Sequence, residues 1–408
     1  MRRFICIVSA FTLLLAGCVK NEPLTSGRQE PKAEIAFESP IVAPKTKSVQ
    51  EIASGFPTTL DMKVWGFYSE SVYPSVNDLR SGPHRYIEGA TFVNEDTVWG
   101  CNERGYYWPT SGYLHFVAHA PAIPSGSLTS SNVTDEGLQL TGYTVPDNAD
   151  EDLLVSQVAY SQTKPANPED GAPLLFDHAL SSILFQVKSG VYGDRSQDDP
   201  ERVDTDLRVV KIEVLNVRAE GDFSQQMTSW NNEQMTSPAA AQNPEKGWTV
   251  ADDALVKDFV AYDGTETVDT RALETGTDAR GKLLTGDYDF VHDLDQAQAG
   301  YSLTNLILLP QVIKDDVVLR VTYDMTHSNL ADINGEETLW ILNQVVEIPM
   351  NQCGITEWLR GYRYVYNLTL SRGKIQCTID TVPWDEYETL EYLDSQINDL
   401  NEKMFELI

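Results

Sequence analysis

The sequence predicts an all-β protein with two domains. Short apolar or alternating runs recur between clusters of Gly, Pro, Asn, Asp and Ser, a pattern typical of β-strands separated by turns. Few segments of the body show the longer period of an amphipathic helix. The 408 residues, 41% of them hydrophobic and 10% aromatic, are enough to fill two cores of ordinary size.

The chain begins with a segment typical of export. A short positive start, residues 1–3, precedes an apolar run at residues 4–15 that is too short to cross a hydrocarbon core of about 30 Å. The run leads into Leu-Ala-Gly-Cys, which resembles a bacterial lipobox with Cys18 as its cysteine. That resemblance implies removal of residues 1–17 as a lipoprotein signal peptide and acylation of the Cys18 thiol, with palmitate expected.

Residues 18–47 combine a polar leash, one candidate strand and a basic island. Ile35 and Phe37 are two residues apart, so both side chains would face the same side of a strand. Lys45 and Lys47 follow this strand in an otherwise acidic protein. The lipid anchor, the strand and the basic loop therefore come in this order along the chain.

Two domains are predicted downstream, at residues 48–165 and 174–384. Residues 161–173 contain three prolines and are predicted to connect the domains. In the second domain, residues 361–370 alternate most clearly, as a strand does. They are predicted to form a hairpin with residues 374–382.

An acidic tail, residues 385–408, changes the pattern to that of a short helix. Its apolar residues are spaced as the a and d positions of heptads: Leu390, Leu393, Ile397, Leu400, Met404 and Leu407. A lone helix of about 20 residues is marginal in water, so this seam needs a partner. The sequence leaves open whether the partner is the body of the protein or another subunit.

The net charge and the absence of common catalytic and nucleotide-binding motifs argue against several classes of function. Lys and Arg number 30 against 61 Asp and Glu, a net charge of −31, which argues against binding to nucleic acid or to anionic lipid surfaces. The P-loop, Gly-x-Gly-x-x-Gly, Gly-x-Ser-x-Gly and His-Glu-x-x-His motifs are all absent from the sequence. We therefore expect neither an enzyme nor a cofactor.

The histidines and acidic runs offer weak metal candidates. His115 and His119 would share one face of a strand but lie roughly 13 Å apart at ~3.3 Å per residue, too far to bind one ion. We expect both, and His178, to pack in the core. The acidic runs at residues 147–152 and 194–206 lack the glycine-spaced pattern of an EF-hand loop. No metal site is predicted.

Three cysteines, Cys101, Cys353 and Cys377, belong to the predicted domains. Because the number is odd, these cysteines can form at most one internal disulfide. Export would make such a bond chemically accessible. A bond between Cys353 and Cys377 would close a hairpin-sized loop, and buried free thiols are an equally open interpretation.

Several motifs, taken in order, resemble the fimbrillin family, the subunits of type V pili of Gram-negative bacteria. The lipobox cysteine, Cys18, is the first. The later motifs are Trp65-Gly66-Phe67, Tyr107-Trp108-Pro109 with residues 114–121, residues 176–185, residues 221–224, Leu309-Pro310-Gln311 and residues 361–366. The resemblance extends from Cys18 to Trp384, and the order and spacing of the motifs give it its force.

The resemblance implies two β-sandwich domains of transthyretin-like topology. It also implies export as a lipoprotein to the outer membrane, removal of an N-terminal strand by a protease after a basic residue, and insertion of a strand from another pilus subunit. Cutting at Arg28 or Lys32 would release the lipid but leave the candidate strand in place. Cutting at Lys47, or next at Lys45, would release both, so these lysines are the candidate maturation sites.

The expected product is a stalk or tip subunit of a fimbrium on the cell surface that supports adhesion to a host glycan or protein. The alternative is a permanently lipid-anchored lipoprotein that binds carbohydrate or anchors a pilus. Tryptophans in strand-like runs could form a sugar platform, although core packing is the favoured interpretation. These tryptophans are Trp65, Trp99, Trp108 and Trp358.

Overall fold

The computed structural model describes most of the chain between residues 33 and 384. The described ranges are 33–38, 40–42, 56–72, 85–95, 98–101, 105–134, 137–167, 170–191, 206–225, 247–265, 280–288, 290–291, 302–303, 305–327 and 339–384. The signal peptide, Cys18, Lys45, Lys47 and the acidic tail lie outside these ranges.

The regular secondary structure of the described residues is almost entirely β-strand, which confirms the predicted fold class of β-sandwich domains. The first strands are β1 (Ile41–Val42), β2 (Met62–Ser69), β3 (Arg85–Glu95), β4 (Val98–Cys101), β5 (Tyr113–Ala120), β6 (Ser130–Thr134), β7 (Gly137–Thr144), β8 (Leu154–Ser156), β9 (Ala159–Gln162), β10 (Leu175–His178), β11 (Ser181–Ser189), β12 (Leu207–Arg218) and β13 (Glu220–Ser224). The later strands are β14 (Trp248–Thr249), β15 (Val256–Asp263), β16 (Lys282–Leu283), β17 (Phe290–Val291), β18 (Ser302–Leu303), β19 (Asn305–Leu308), β20 (Gln311–Val312), β21 (Val318–His327), β22 (Leu339–Pro349), β23 (Glu357–Trp358), β24 (Tyr362–Ser371) and β25 (Lys374–Pro383). A 3₁₀ helix spans Met350–Gln352.

The strands form four main sheets. The largest has the order β1-β10-β8-β5-β2-β3-β4, with β9 also paired to β5. The other three have the orders β19-β11-β24-β25, β15-β12-β21-β22 with β16 on β12, and β14-β13-β7-β6. Two small pairs, β17-β18 and β20-β23, complete the pairing of the described residues.

The hairpin predicted at residues 361–382 is confirmed. β24 and β25 pair from Tyr362 opposite Pro383 to Ser371 opposite Lys374. Gly373 in the turn has a φ of 67°, a conformation that glycine adopts without steric cost. Side chains on both faces of β24 are buried, so the alternation in its sequence does not mark a solvent-exposed face. Within its sheet, β24 lies between β11 and β25.

Two apolar runs that look continuous in sequence are each divided between two sheets. The run from Leu174 to Val187 supplies β10 to the largest sheet and β11 to the sheet of β24. The run from Leu306 to Val312 is interrupted at Pro310, which has no N–H to donate to a sheet. Its two parts are β19 and β20.

Strand pairs also connect the two sides of the predicted linker at residues 161–173. β10 pairs with β8, and β13 pairs with β7. The division into domains at residues 165 and 174 stays a prediction. The pairing shows that strands before and after the linker belong to the same hydrogen-bonded sheets.

The buried apolar side chains fall into two clusters. The smaller cluster lies against the largest sheet and includes Ile35, Phe37, Phe92 and Phe116. The larger cluster packs the remaining sheets together and against the largest sheet, and it includes Trp65 of β2 and Tyr366 of β24. The N-terminal candidate strand therefore belongs to the core of the first sheet.

Candidate functional site

The most distinctive feature of the structure is the segment at residues 33–42, which we call the closing segment. The largest sheet has β1 at one end and β4 at the other. β1 is the end of the closing segment and pairs in parallel with β10. Phe37, a few residues earlier, forms an antiparallel bridge to Trp99 of β4 and a parallel bridge to Ala172. One short segment therefore joins both edges of the sheet.

Main-chain hydrogen bonds hold the closing segment on its β4 side. The Ile35 N–H donates to the Tyr106 carbonyl at 2.7 Å, and the Trp108 N–H donates to the Ala33 carbonyl at 3.0 Å. Phe37 and Trp99 exchange two bonds, of 3.0 Å and 2.8 Å. The predicted strand is thus present, and it runs antiparallel to the residues that it pairs with on this side.

The opposite side of the closing segment pairs with the end of the predicted linker. The Ala172 N–H donates to the Ala36 carbonyl at 2.8 Å, and the Glu38 N–H donates to the Ala172 carbonyl at 3.2 Å. Successive residues therefore point their main-chain groups to opposite sides, as in a strand with two neighbours. Without the segment, both sides would present unpaired main-chain groups.

The side chains of the closing segment alternate as its sequence predicts. Ile35 and Phe37 are buried, with 2% and 0% exposure, whereas Glu34 and Glu38 are exposed. The Phe37 ring packs edge-to-face against the rings of Phe92 and Phe116, and its centroid lies 5.0 Å from the centroid of each. Such aromatic pairs add to the stabilisation that burial alone provides.

Gly171 makes the close approach of the closing segment possible. A β-carbon at this position would lie 2.0 Å from the Glu38 nitrogen and 2.2 Å from the Phe37 carbonyl carbon. Both atoms belong to the main chain, which cannot rotate away as a flexible side chain can. Only glycine fits here unless the segment moves. No sequence pattern predicts this role, since Gly171 lies in a stretch predicted only as a linker.

The four tryptophans singled out from the sequence are core residues. Trp65, Trp99, Trp108 and Trp358 are between 1% and 8% exposed. Trp99 lies beside the closing segment, and its indole N–H donates to the Leu60 carbonyl at 3.0 Å. The expectation of core packing is confirmed, and these buried ring faces are not arranged as an exposed sugar platform.

The buried histidines have structural roles, as predicted. The Ser161 N–H donates to Nδ1 of His115 at 3.1 Å, so Nε2 carries the proton and donates to Ser69 Oγ at 2.8 Å. This imidazole is therefore not available as a base toward Ser69. His119 is fully buried, with Nδ1 2.9 Å from the Pro121 carbonyl oxygen, and burial lowers its pKa to about 4.

His178 also lies in the core, but its carboxylate partner is not its neighbour in sequence. Its Nδ1 bonds the carboxylate of Asp152, and its ring stacks on Trp384 with centroids 4.1 Å apart. Within the described ranges, no group of three or more His, Cys, Asp or Glu side chains is placed to hold a metal ion. The same ranges contain no helix long and apolar enough to cross a membrane.

Comparison with solved structures finds similar proteins, and the first of those described next, at a TM-score above 0.5, shares the fold. A fimbrial protein of Bacteroides vulgatus is 14% identical, with a TM-score of 0.52 over 86% of this chain and 99% of that protein. A cell adhesion protein of Bacteroides uniformis is 13% identical, with a TM-score of 0.42 over 86% and 99%. The tip fimbrial protein of Porphyromonas gingivalis is 10% identical, with a TM-score of 0.32 over 87% and 100%.

The family itself is established by sequence. No curated protein matches the chain significantly. The model of the fimbrillin-like family, however, matches residues 71–384, which is most of the chain. This is a family of structural fimbrial subunits and not of enzymes. The chain therefore belongs to the fimbrillin-like family and is a pilus subunit of the cell surface.

Proposed function

We propose that this pilus subunit is exported as a lipoprotein and assembled as a stalk or tip component by strand exchange. The lipid on Cys18 holds the precursor at the outer membrane. A protease then cuts after Lys47, with Lys45 as the second candidate. The cut separates the closing segment from the body, and a strand of another subunit takes its place in a fimbrium that supports adhesion.

The two-sided pairing of the closing segment carries this proposal. Burial of Ile35 and Phe37 contributes about 1.5–3 kcal/mol each. The main-chain bonds to Tyr106, Trp99 and Ala172 contribute roughly 0.5–1.5 kcal/mol each. A subunit that loses the segment would expose an apolar groove between two unpaired edges. A strand with the same spacing of apolar side chains recovers both terms.

The register of the closing segment also defines the strand that can replace it. An incoming strand must run antiparallel to β4 and parallel to β10 to reproduce the observed pairing. It must place apolar side chains at the positions of Ile35 and Phe37. Because the donor and the acceptor are different surfaces of a subunit, repetition of this contact extends a filament and does not close a dimer.

The cleavage step can be tested on fimbriae sheared from cells. We expect the N-terminus of the sheared protein to be Ser48. Lys45→Gln combined with Lys47→Gln should leave the chain tethered, whereas Lys32→Gln, which removes a lysine before the closing segment, should not. A sheared chain that begins at Cys18 would overturn maturation at Lys47 and favour the permanently anchored lipoprotein.

The place of the subunit in the pilus needs a separate measurement. Immunogold electron microscopy on the mature filaments distinguishes the two roles, since a stalk subunit is labelled along the filament and a tip subunit at its end. Label confined to the cell surface without filaments would contradict both roles.

A further inference from the structure

Two cysteine thiols from separate elements meet at the edge of the larger core. Cys353 follows the 3₁₀ helix and donates its N–H to the Met350 carbonyl at 3.1 Å. Cys377 lies in β25 directly opposite Leu368 of β24. Both side chains pack in or against the larger core, and a hydrogen bond between the two thiols lowers the pKa of Cys353 and raises that of Cys377. The turn that follows β22 in one sheet and the edge strand β25 of another sheet thus bring these two thiols together.

The surroundings of the pair favour sulfur chemistry over metal binding. Cys353 is buried, and Cys377 is half-buried on the edge strand. Tyr366, whose hydroxyl accepts a 2.9 Å bond from the Trp358 indole, lies beside both thiols. In the described part of the chain, no further His, Cys, Asp or Glu side chain joins the pair in a metal-binding group. Two adjacent thiols in a cell-surface protein are the requirement for a disulfide.

We propose that Cys353 and Cys377 form a disulfide in the exported protein. The oxidant is a protein disulfide of the exported compartment. One of the two sulfurs attacks it as a thiolate and forms a mixed disulfide, which releases one thiol of the oxidant. The other cysteine sulfur then attacks the first and releases the second thiol of the oxidant. Two protons and two electrons leave the subunit, and one sulfur–sulfur bond forms.

The bond would fasten β25 to the turn that follows β22. β25 is an edge strand, paired to β24 among the described residues. The loop from residue 353 to residue 377 contains β23, β24 and the hairpin turn, so the bond would restrict the unfolded chain across these elements. Closing a loop of this length lowers the equilibrium constant for unfolding by roughly a hundredfold or more. The inference needs export to the cell surface, and it does not depend on strand exchange.

Thiol counting on the native protein tests the bond. Fimbrial material is collected in alkylating reagent, denatured and digested, and the peptides are assigned by mass spectrometry. We expect alkylation of Cys101 alone, with Cys353 and Cys377 in one linked peptide pair that separates on reduction. Alkylation of all three cysteines, or a bond that includes Cys101, would overturn the proposal. Cys101 packs with the smaller cluster and serves as the internal control.

Denaturation of the purified full-length chain tests what the bond does. Cys353→Ser combined with Cys377→Ser should lower the urea midpoint relative to the oxidised wild type, and the deficit should disappear when the wild type is reduced. If the urea midpoint of the double variant is lower than that of the wild type by the same amount in reductant, the loss comes from packing and not from a bond. That result would overturn the assigned role. Cys101→Ser is the matched control and should show no redox-dependent change.

Discussion

The closing segment and strand β25 both lie at sheet edges, but they are held in opposite ways. The closing segment pairs on two sides with residues that are distant in sequence, and it buries two side chains almost completely. β25 pairs along its ten residues with β24, its neighbour in a hairpin, and alternates between half-buried and exposed side chains.

This difference separates an exchangeable edge from a permanent one. A cut after the closing segment would free it, because all of its pairing is to other parts of the chain. β25 is joined to its partner by the turn at Arg372 and Gly373, so it re-forms its own pairing after any local opening. Strand exchange is therefore expected at the closing segment, and the hairpin is expected to stay closed.

Removal of the closing segment should have the largest effect. Deleting residues 18–42 from the uncut chain should lower the free energy of unfolding by at least about 5 kcal/mol, since apolar burial and two-sided pairing are lost together. A synthetic peptide of residues 31–43 should restore the loss in urea denaturation. A peptide with Ala in place of Ile35 and Phe37 is the control and should not. Equal midpoints with and without the segment would contradict the comparison.

Phe37→Ala should have the next largest effect. It removes the ring that packs against Phe92 and Phe116, and truncation of a fully buried phenylalanine costs about 3–5 kcal/mol. Glu38→Ala is the matched control, because its side chain is exposed and its main-chain bond to Ala172 is kept. Chemical denaturation of both variants measures the difference. Similar losses for both would show that the segment is held by its main chain alone.

Acid should weaken the sheet of the closing segment through His119. Burial lowers the pKa of this imidazole to about 4 from its usual 6.5. The unfolded chain therefore binds a proton below pH 6.5 that the folded chain does not bind until about pH 4. Stability is lost as the pH falls through this window, by about 3 kcal/mol. His119→Asn keeps a donor for the Pro121 carbonyl and should flatten the pH dependence of unfolding. An unchanged pH dependence of unfolding in this variant would show that other groups cause the loss of stability in acid.

Gly171→Ala should have an intermediate effect, and its effect should be confined to the closing segment. The added methyl group meets the main chain of Phe37 and Glu38, and overpacking of this kind costs about 1–3 kcal/mol. Gly105→Ala is the matched control, because its methyl group meets only the far ends of the Glu34 and Tyr107 side chains and no main-chain atom. Each substitution is placed in the chain that lacks residues 18–42, and the affinity of the residue 31–43 peptide for that chain measures its effect. Equal affinity in the two variants would exclude Gly171 as the close contact.

Local patterns predicted the strands better than their partners. The alternation at Ile35 and Phe37 and the hairpin at residues 361–382 were readable because a strand has a period of two. Strand β15 has no such pattern, since only one of its eight side chains is buried and a polar stretch precedes it. The pairing of the closing segment with Ala172 joins residues that no local pattern connects. The contact between Cys353 and Cys377 likewise joins residues that no local pattern connects.

A substitution in β25 should give the smallest effect and completes the comparison. Ile379 is half-buried against the larger core and lies opposite Tyr366 in the hairpin. Ile379→Ala should cost about 1–2 kcal/mol, because only part of its surface is removed from water. The exposed Gln376→Ala in the same strand is the control and should be near neutral. Neither variant should change binding of the residue 31–43 peptide. A loss of peptide affinity in Ile379→Ala would show that the two edges are coupled and that the hairpin takes part in the exchange.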